Sequence, residues 1–406
     1  MIRKIFIATC LVLTSATSLA APDDTTLARP ESGPVRGHAV NGVVAFRGIP
    51  FAAPPIGALW WRAPHPVRKW TDERDATSFG HDCMQVASKL APISTTAAED
   101  CLFLNVWRPF DTHAGHNLPV LVWIHGGFVV GGTSIPAYDG RAFARHGIVF
   151  VSANYRLARP GFFANSALLA ANEGLVGDFA YVDQVKALQW VQRNIGALGG
   201  DATRVTIIGE VQGGASVLWH LASPGSHGLF HQAIVMTGGR GRGTLTPPLE
   251  EFLRAGPVAN VPVIIGADMI RDEPSRLLAR TVTARGQRLW RYRIAYAAES
   301  TRLHSKQQAD ATDAIELPFL FRTLDTKYGD SVTAKDEQVA LALNTYVTNF
   351  VKDGDPNGSG LPGWRAFAPS RHNLMTFTPE GPQYGFDPRA RTLVQRAADA
   401  WAANWR

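Results

Sequence analysis

Residues with the potential for chemistry gather in one short segment of this 406-residue sequence, Gly209-Glu210-Val211-Gln212-Gly213-Gly214. Arg204 to Gly209 reads as a strand that runs directly into a helical pattern, and glycines bracket the junction. A sharp strand-to-helix turn of this kind is where acyl-transfer enzymes expose a nucleophile, because the strained backbone holds one side chain clear and leaves no room beside it. Here the apex residue is Val211. An isopropyl group has no nucleophilic or ionisable atom and forms no acyl intermediate, and its β-branching suits a strained turn poorly. Other chemistries find less support. A metal hydrolase would need clustered His and Asp ligands at short spacing, and none appears. Gly238-Gly239-Arg240-Gly241-Arg242-Gly243 follows a strand but lacks the Lys-Ser or Lys-Thr ending of a phosphate loop, so no cofactor is expected.

The elements that must hold this turn follow from hydrophobic periodicity. From about residue 100 onward, apolar runs bounded by turn residues alternate with helical patterns, the signature of a mostly parallel sheet with crossover helices and an α/β fold. Leu118 to His125, Gly147 to Tyr155, Arg204 to Gly209, Val261 to Gly266 and Leu289 to Ala297 read as strands. Tyr181 to Leu198, Glu337 to Val351 and Pro388 to Trp405 read as helices, and Asp353 to Gly363 as a turn-rich loop. Gly37 to Gly48 alternates as an antiparallel hairpin at the sheet edge, after which Pro54-Pro55 ends regular structure. No linker rich in Ser, Gly or Pro divides the chain, so residues 21–406 are expected to form one domain.

With 46% hydrophobic and 18% charged residues, the composition is that of an ordinary globular protein with a sizeable core. Met1 to Ala20 reads as a cleaved secretory signal: Arg3 and Lys4, then the apolar run Ile5 to Leu13, then Ser18-Leu19-Ala20. A membrane anchor is the competing reading, but the run is far shorter than the roughly 20 residues of a bilayer span. A secreted or periplasmic location follows, without a stable membrane anchor. Removing Arg3 and Lys4 takes the formal charge from +6 to +4, and the remaining Lys and Arg are dispersed, so no nucleic-acid partner is expected. Cys10 leaves with the signal. An oxidising compartment would pair the remaining Cys83 and Cys101; two buried thiols are the other reading.

Several motifs in fixed order resemble those of the type-B carboxylesterase and cholinesterase-like family. They begin with Phe46-Arg47-Gly48-Ile49-Pro50-Phe51-Ala52 and Pro54-Pro55, then Glu99-Asp100-Cys101-Leu102-Phe103-Leu104-Asn105-Val106. Trp123-Ile124-His125-Gly126-Gly127-Phe128, Asn154-Tyr155-Arg156-Leu157, and Asp183-Gln184 to Asn194-Ile195 follow. Gly199-Gly200-Asp201, Arg204 to Glu210, Asn349-Phe350 and Gly354-Asp355-Pro356-Asn357 complete the series. The resemblance covers roughly residues 33 to 405 and implies an α/β-hydrolase fold: a central, mostly parallel sheet flanked by helices, with an N-terminal antiparallel edge. It also implies that Arg156 and Asp183 form a buried ion pair and that Cys83 and Cys101 match the family's first disulfide. Trp60 stands where the family usually has an arginine paired to the Glu99 position, so that contact is expected to be missing.

Carried onto this chain, the family's site is altered at several positions. Val211 takes the nucleophilic serine's place. The family's histidine lies three residues before a Glu-Leu-Pro segment, and Glu316-Leu317-Pro318 places Asp313 there, a weaker proton acceptor near neutral pH. His304, nine residues upstream of Asp313, reads as a solvated surface residue. Glu273 is the candidate for the acid, with two extra residues before it and Pro274 after it. The oxyanion hole would use amides of Gly126, Gly127 and Gln212, although His125-Gly126-Gly127-Phe128 is one glycine short. The cap regions between Gly238 and Val261 and between Glu273 and Asp313 are shorter than in typical relatives, which leaves the site open to water. The resemblance thus implies a carboxylic ester hydrolase whose catalysis is impaired or abolished, with a small-molecule ester or hydrophobic ligand as its partner. The alternative is residual ester hydrolysis with Asp313 or Glu210 as general base on water.

Overall fold

Consecutive residues of a strand point to opposite faces, so a strand buried on both sides must be apolar throughout. Leu118–Ile124 meets that demand, with Val120, Val122 and Ile124 entering one apolar layer and Leu121 and Trp123 the other. A computed structural model describes residues 24–85, 96–127, 132–163, 178–236, 258–266, 273–300, 316–387 and 389–390, and extends the same rule across an eleven-stranded mixed sheet.

In chain order the strands are β1 Leu27–Ala28, β2 Val35–Arg36, β3 His38–Val40, β4 Val43–Pro50, β5 Arg74–Asp75, β6 Phe103–Pro109, β7 Leu118–Ile124, β8 Val149–Ala153, β9 Gly200–Glu210, β10 Gln232–Met236, β11 Val263–Gly266, β12 Leu289–Ile294, β13 Asn373–Thr378 and β14 Gly381–Phe386. The large sheet runs β14-β13-β12-β11-β10-β9-β7-β8-β6-β4-β3, while β1, β2 and β5 form a small separate sheet. Every pairing from β8 through to β13 is parallel, and the edges are antiparallel. The expected N-terminal hairpin is β3–β4, with His38 opposite Ala45, at the outermost edge.

Helices cover both faces. Phe179–Asn194 and Gln212–Ala222 bury Leu188, Trp190, Val191, Leu218 and Leu221 against one side. Ala334–Asp353 and Glu316–Phe321 bury Val339, Leu343, Phe350, Phe319 and Leu320 against the other. Ala334–Asp353 starts earlier than its apolar periodicity suggests because Thr333 and Asp336 form a reciprocal capping box, and it stops where Gly354 turns left-handed at φ 65°. The Pro388 to Trp405 helix and the N-terminal signal lie outside the described residues, apart from Arg389 and Ala390. Among the described residues no helix is long and apolar enough to cross a membrane.

Three ties fasten the loops around this sheet. Cys83 and Cys101 are disulfide-bonded across 18 residues, a loop whose closure stabilises by about 3 kcal/mol. Arg156, just beyond β8, grips the Asp183 carboxylate through Nε and Nη2, each at 2.7 Å, and the two side chains are only 3% and 0% exposed. The third tie corrects an expectation. Trp60 does contact Glu99, its indole N–H donating to Oε2 at 3.0 Å, because indole supplies a neutral donor where a guanidinium would supply a charged one.

Asp183→Ala leaves the Arg156 guanidinium buried without its counter-ion. The expected cost is about 3–5 kcal/mol, read as a lower midpoint in urea unfolding at neutral pH; a loss under about 1 kcal/mol would contradict the tie.

Candidate active site

The site is assembled where two neighbouring parallel strands end. β7 and β9 pair with Ile124 opposite Gly209, so the loop after β7 and the turn after β9 emerge side by side. A single residue separates β9 from the Gln212–Ala222 helix. That residue is Val211, half-buried, with φ 52° and ψ −109°. Positive φ in a β-branched residue is a genuine outlier, and such strain costs on the order of 1–3 kcal/mol. The glycines around it are steric requirements. A Cβ on Gly209 would collide with the Gly213 carbonyl group, and one on Gly213 would collide with the Ile124 carbonyl oxygen.

The loop after β7 packs onto the same turn. A Cβ on Gly126 would lie 2.9 Å from the Glu210 carbonyl oxygen and 3.1 Å from Glu210 Oε2, so Gly126 rests directly on the residue preceding the apex. Gly127 continues in the left-handed region at φ 93°. Among the described residues neither amide donates to another backbone carbonyl, and Gln212 heads a helix, whose first amides have no partner within it. Amides left without a backbone acceptor in this way are the kind of donor that can polarise a carbonyl oxygen. Phe128 and the following three residues lie outside the described set.

His125 anchors that loop. It is buried, stacks on Tyr155 with ring centroids 4.4 Å apart, and has Nδ1 2.9 Å from the Gly126 oxygen, while the Tyr155 hydroxyl donates to the His125 carbonyl at 2.7 Å. Burial pushes its pKa down to about 4, so the imidazole is neutral near pH 7. Glu210, also buried, stands near the phenols of Tyr138 and Tyr292; burial raises both phenols above their ordinary range and the Glu210 charge adds to the shift. Tyr292 donates to Glu316 Oε2 at 2.7 Å.

Behind the turn runs a buried polar chain. His220 meets Ser226 Oγ through Nδ1 at 2.8 Å and Gln184 Oε1 through Nε2 at 3.0 Å; Gln184 donates to Ser216 Oγ at 3.1 Å, and Ser216 donates to the Gln212 carbonyl at 3.1 Å. Burial holds the His220 pKa down to about 3. Ser226 thus touches an imidazole, yet it is fully buried in the Pro224–Ser226 turn beyond the far end of the helix. Ser216 is equally buried. Neither hydroxyl stands at the apex.

The structure therefore brings together Val211, Glu210, Gln212, Gly126 and Gly127. Asp313 and His304 lie outside the described residues. The backbone of Glu273 opens the Glu273–Ala284 helix after β11, one strand beyond β10, and its side chain lies outside what is described. The His220–Gln184–Ser216 chain was not anticipated from sequence, although Gln212, Ser216 and His220 recur at four-residue spacing along one helix face.

A sequence model of the carboxylesterase family matches residues 24–247 and 263–393, most of the chain. The chain belongs to the carboxylesterase family. This carboxylesterase-family chain is 43% identical over 232 residues to the fumonisin B1 esterase of Sphingopyxis macrogoltabida, covering 55% of this chain and 42% of that protein. It is 44% identical over 212 residues to the para-nitrobenzyl esterase of Bacillus subtilis, covering 51% and 42%. The matched segment spans less than half the length of these curated relatives. Among solved structures, a Geobacillus stearothermophilus carboxylesterase at pH 6.2 is similar with TM-score 0.73 and 28% identity over 92% of this chain and 99% of that one. A para-nitrobenzyl esterase structure, at 24% identity and TM-score 0.79, supports the α/β-hydrolase fold alone.

Two stability measurements test the site's construction. Gly→Ala inside a helix ordinarily stabilises by about 0.5–1 kcal/mol, but Gly213→Ala is expected to destabilise by about 1–3 kcal/mol because its methyl meets the Ile124 carbonyl. Stability should also fall with acid. His125 and His220 titrate near 4 and 3 when folded against about 6.5 unfolded, so below pH 6.5 the unfolded chain binds more protons. The histidine contribution is complete above pH 6.5 and is lost toward pH 4 at about 1.4 kcal/mol per pH unit for each. Unfolding midpoints of the parent and His220→Gln from pH 7 to 4.5 check it, and identical slopes would rule out His220 as a contributor.

Proposed function

We propose that this protein is an exported, non-catalytic member of the carboxylesterase family that keeps the fold and carbonyl-polarising amides of an ester hydrolase and binds small ester-like or apolar molecules without turning them over. One observation carries the reading: the apex of the strand-to-helix turn holds the Val211 isopropyl group, which has no atom that could attack a carbonyl. In serine hydrolases the loss of serine or histidine lowers turnover by about 10⁶-fold. Asp313 at the histidine position deepens that loss, since a carboxylate accepts a proton weakly at neutral pH. The disulfide and the signal-like N-terminus support export.

A second reading is residual hydrolysis by water activated at Glu210 or Asp313. It is favoured by the position of Glu210 Oε2 against Gly126, the loop whose amides would polarise the ester. No covalent intermediate forms in that reaction.

Hydrolysis of p-nitrophenyl acetate separates the two. The parent protein is expected to show no turnover above buffer and no labelling by a serine-reactive fluorophosphonate, whereas Val211→Ser combined with Asp313→His is expected to gain both. Parent turnover that vanishes in Glu210→Gln or Asp313→Asn, without labelling, would establish the second reading. Fluorophosphonate labelling of the parent near residue 211 would defeat both.

A further inference from the structure

The chain contains two Asn-Gly pairs, Asn41-Gly42 and Asn357-Gly358, and both are exposed and lie outside regular elements. Asparagine before glycine is a labile pair, because glycine has no side chain to keep its amide nitrogen from closing on the preceding side-chain carbonyl carbon. Exposure does not separate the two pairs. Hydrogen bonding does.

Asn357 is tethered through its whole side-chain amide. Its Nδ2 donates to Asp355 Oδ1 at 2.6 Å and to the Trp364 carbonyl at 2.9 Å, and its Oδ1 accepts from the Trp364 N–H at 2.6 Å. Asp355 Oδ1 also accepts the Asn357 backbone N–H at 3.0 Å, which fixes the main chain beside it. A Cβ on Gly358 would lie 2.4 Å from Asn349 Nδ2, so that glycine is packed in as well.

Asn41 has no such ties. Its side-chain amide makes no hydrogen bond among the described residues, and a Cβ on Gly42 would meet nothing within 4 Å. Asn41 and Gly42 form the two-residue link between Val40 and Val43 of the β3–β4 hairpin, with φ 52° and 78°, the paired positive values of a tight hairpin turn. The Gly42 carbonyl accepts from the Phe110 N–H at 3.0 Å, while the Gly42 N–H donates to no backbone carbonyl among the described residues. The nitrogen that would act as nucleophile is therefore uncommitted, and water reaches both residues.

We propose that Asn41 is a site of spontaneous deamidation, in which the Gly42 backbone nitrogen closes on the Asn41 side chain while Asn357 is kept intact by its tethers. Hydroxide removes the Gly42 amide proton, and the nitrogen bonds to Asn41 Cγ. The Cγ–Nδ2 bond breaks, and Nδ2 takes a proton from water and leaves as ammonia. One water then opens the cyclic imide, with no change of oxidation state. Breaking the new Cγ–N bond gives aspartate at residue 41; breaking the original peptide bond gives isoaspartate, whose main chain runs through Cβ and is one methylene longer. Aspartate tolerates the left-handed conformation and keeps the turn. The longer link does not match a two-residue turn, so isoaspartate loosens the register that sets Val40 opposite Val43 and His38 opposite Ala45 at the sheet edge. The chemistry at Val211 takes no part in this.

Incubation of the full chain at pH 8 and 37 °C followed by peptide mass mapping tests the assignment. The peptide holding Asn41 is expected to gain about 1 Da and to become a substrate for an isoaspartyl methyltransferase. Its rate is expected to exceed that at Asn357 by about tenfold or more, since the bonds to Asp355 and Trp364 must break there first. In concentrated urea the two rates are expected to converge, and Asp355→Ala is expected to speed conversion of Asn357 in the folded chain. Equal rates in the folded chain, faster conversion at Asn357, or a ratio unchanged by urea would overturn the proposal. Hydrogen exchange of residues 38–43 reads the turn: it is expected to be faster in the isoaspartyl form than in Asn41→Asp, and equal exchange in the two would refute the loss of register.

Discussion

The candidate site depends on how closely two backbones approach at the ends of β7 and β9. Gly209 and Gly213 lack the Cβ atoms that would collide there, so the Gln212–Ala222 helix begins in contact with the Ile124 carbonyl. That contact leaves one residue in which to turn from strand to helix, and it forces Val211 to φ 52° whatever its side chain prefers. It also seats Gly126 against Glu210, which brings the loop after β7 beside the apex. The architecture of acyl transfer is thus written in backbone and glycine, while the nucleophile is a side chain supported by none of it. The geometry of the turn therefore does not depend on which side chain stands at residue 211.

The legible part of the fold is the part governed by periodicity. Leu118–Ile124 is apolar on both faces and Val149–Ala153 nearly so, which makes them readable as strands because a parallel sheet covered by helices demands it; Leu289–Ile294 is readable from its apolar face of Trp290, Tyr292 and Ile294, while Arg291 and Arg293 lie on the other. The β13–β14 hairpin was missed because Gly381–Phe386 carries Gly, Pro and Gln in place of alternating apolar residues; its pairing is supplied by the neighbour rather than by pattern. At the site, Val211, Gly126, Gly127 and Gln212 were legible through spacing to glycines. The His220–Gln184–Ser216 chain was not, because hydrogen bonds between residues far apart in sequence leave no local period, and Trp60 concealed its bond to Glu99 by replacing a charge with an indole N–H.

Among the described residues two buried imidazoles, His125 and His220, lie in the loop after β7 and in the helix after the turn, and neither is placed as a general base. A general base must both reach the reacting proton and titrate near the working pH. His125 is stacked on Tyr155 and His220 is bonded at both nitrogens, and burial drives both far below neutrality. They are neutral fasteners of the loop and the helix. Moving either to the apex would break the contacts that hold the apex in shape.

Val211 and Trp60 each set an apolar side chain on a backbone that other contacts hold in place. Val211 presents hydrocarbon where acyl transfer needs a hydroxyl, and it does so on a strained, half-buried turn with little surface around it. Trp60 exchanges a cation for a large aromatic face while keeping the hydrogen bond to Glu99, so the loop around Glu99 stays tied and gains apolar area beside Trp61. Recognition of a small molecule needs such area together with a few aimed polar groups, whereas catalysis needs a reactive atom. At Val211 the side chain is hydrocarbon and supplies no such atom. The shape of the turn is therefore a property of backbone and glycine, whereas reactivity at residue 211 rests on one side chain.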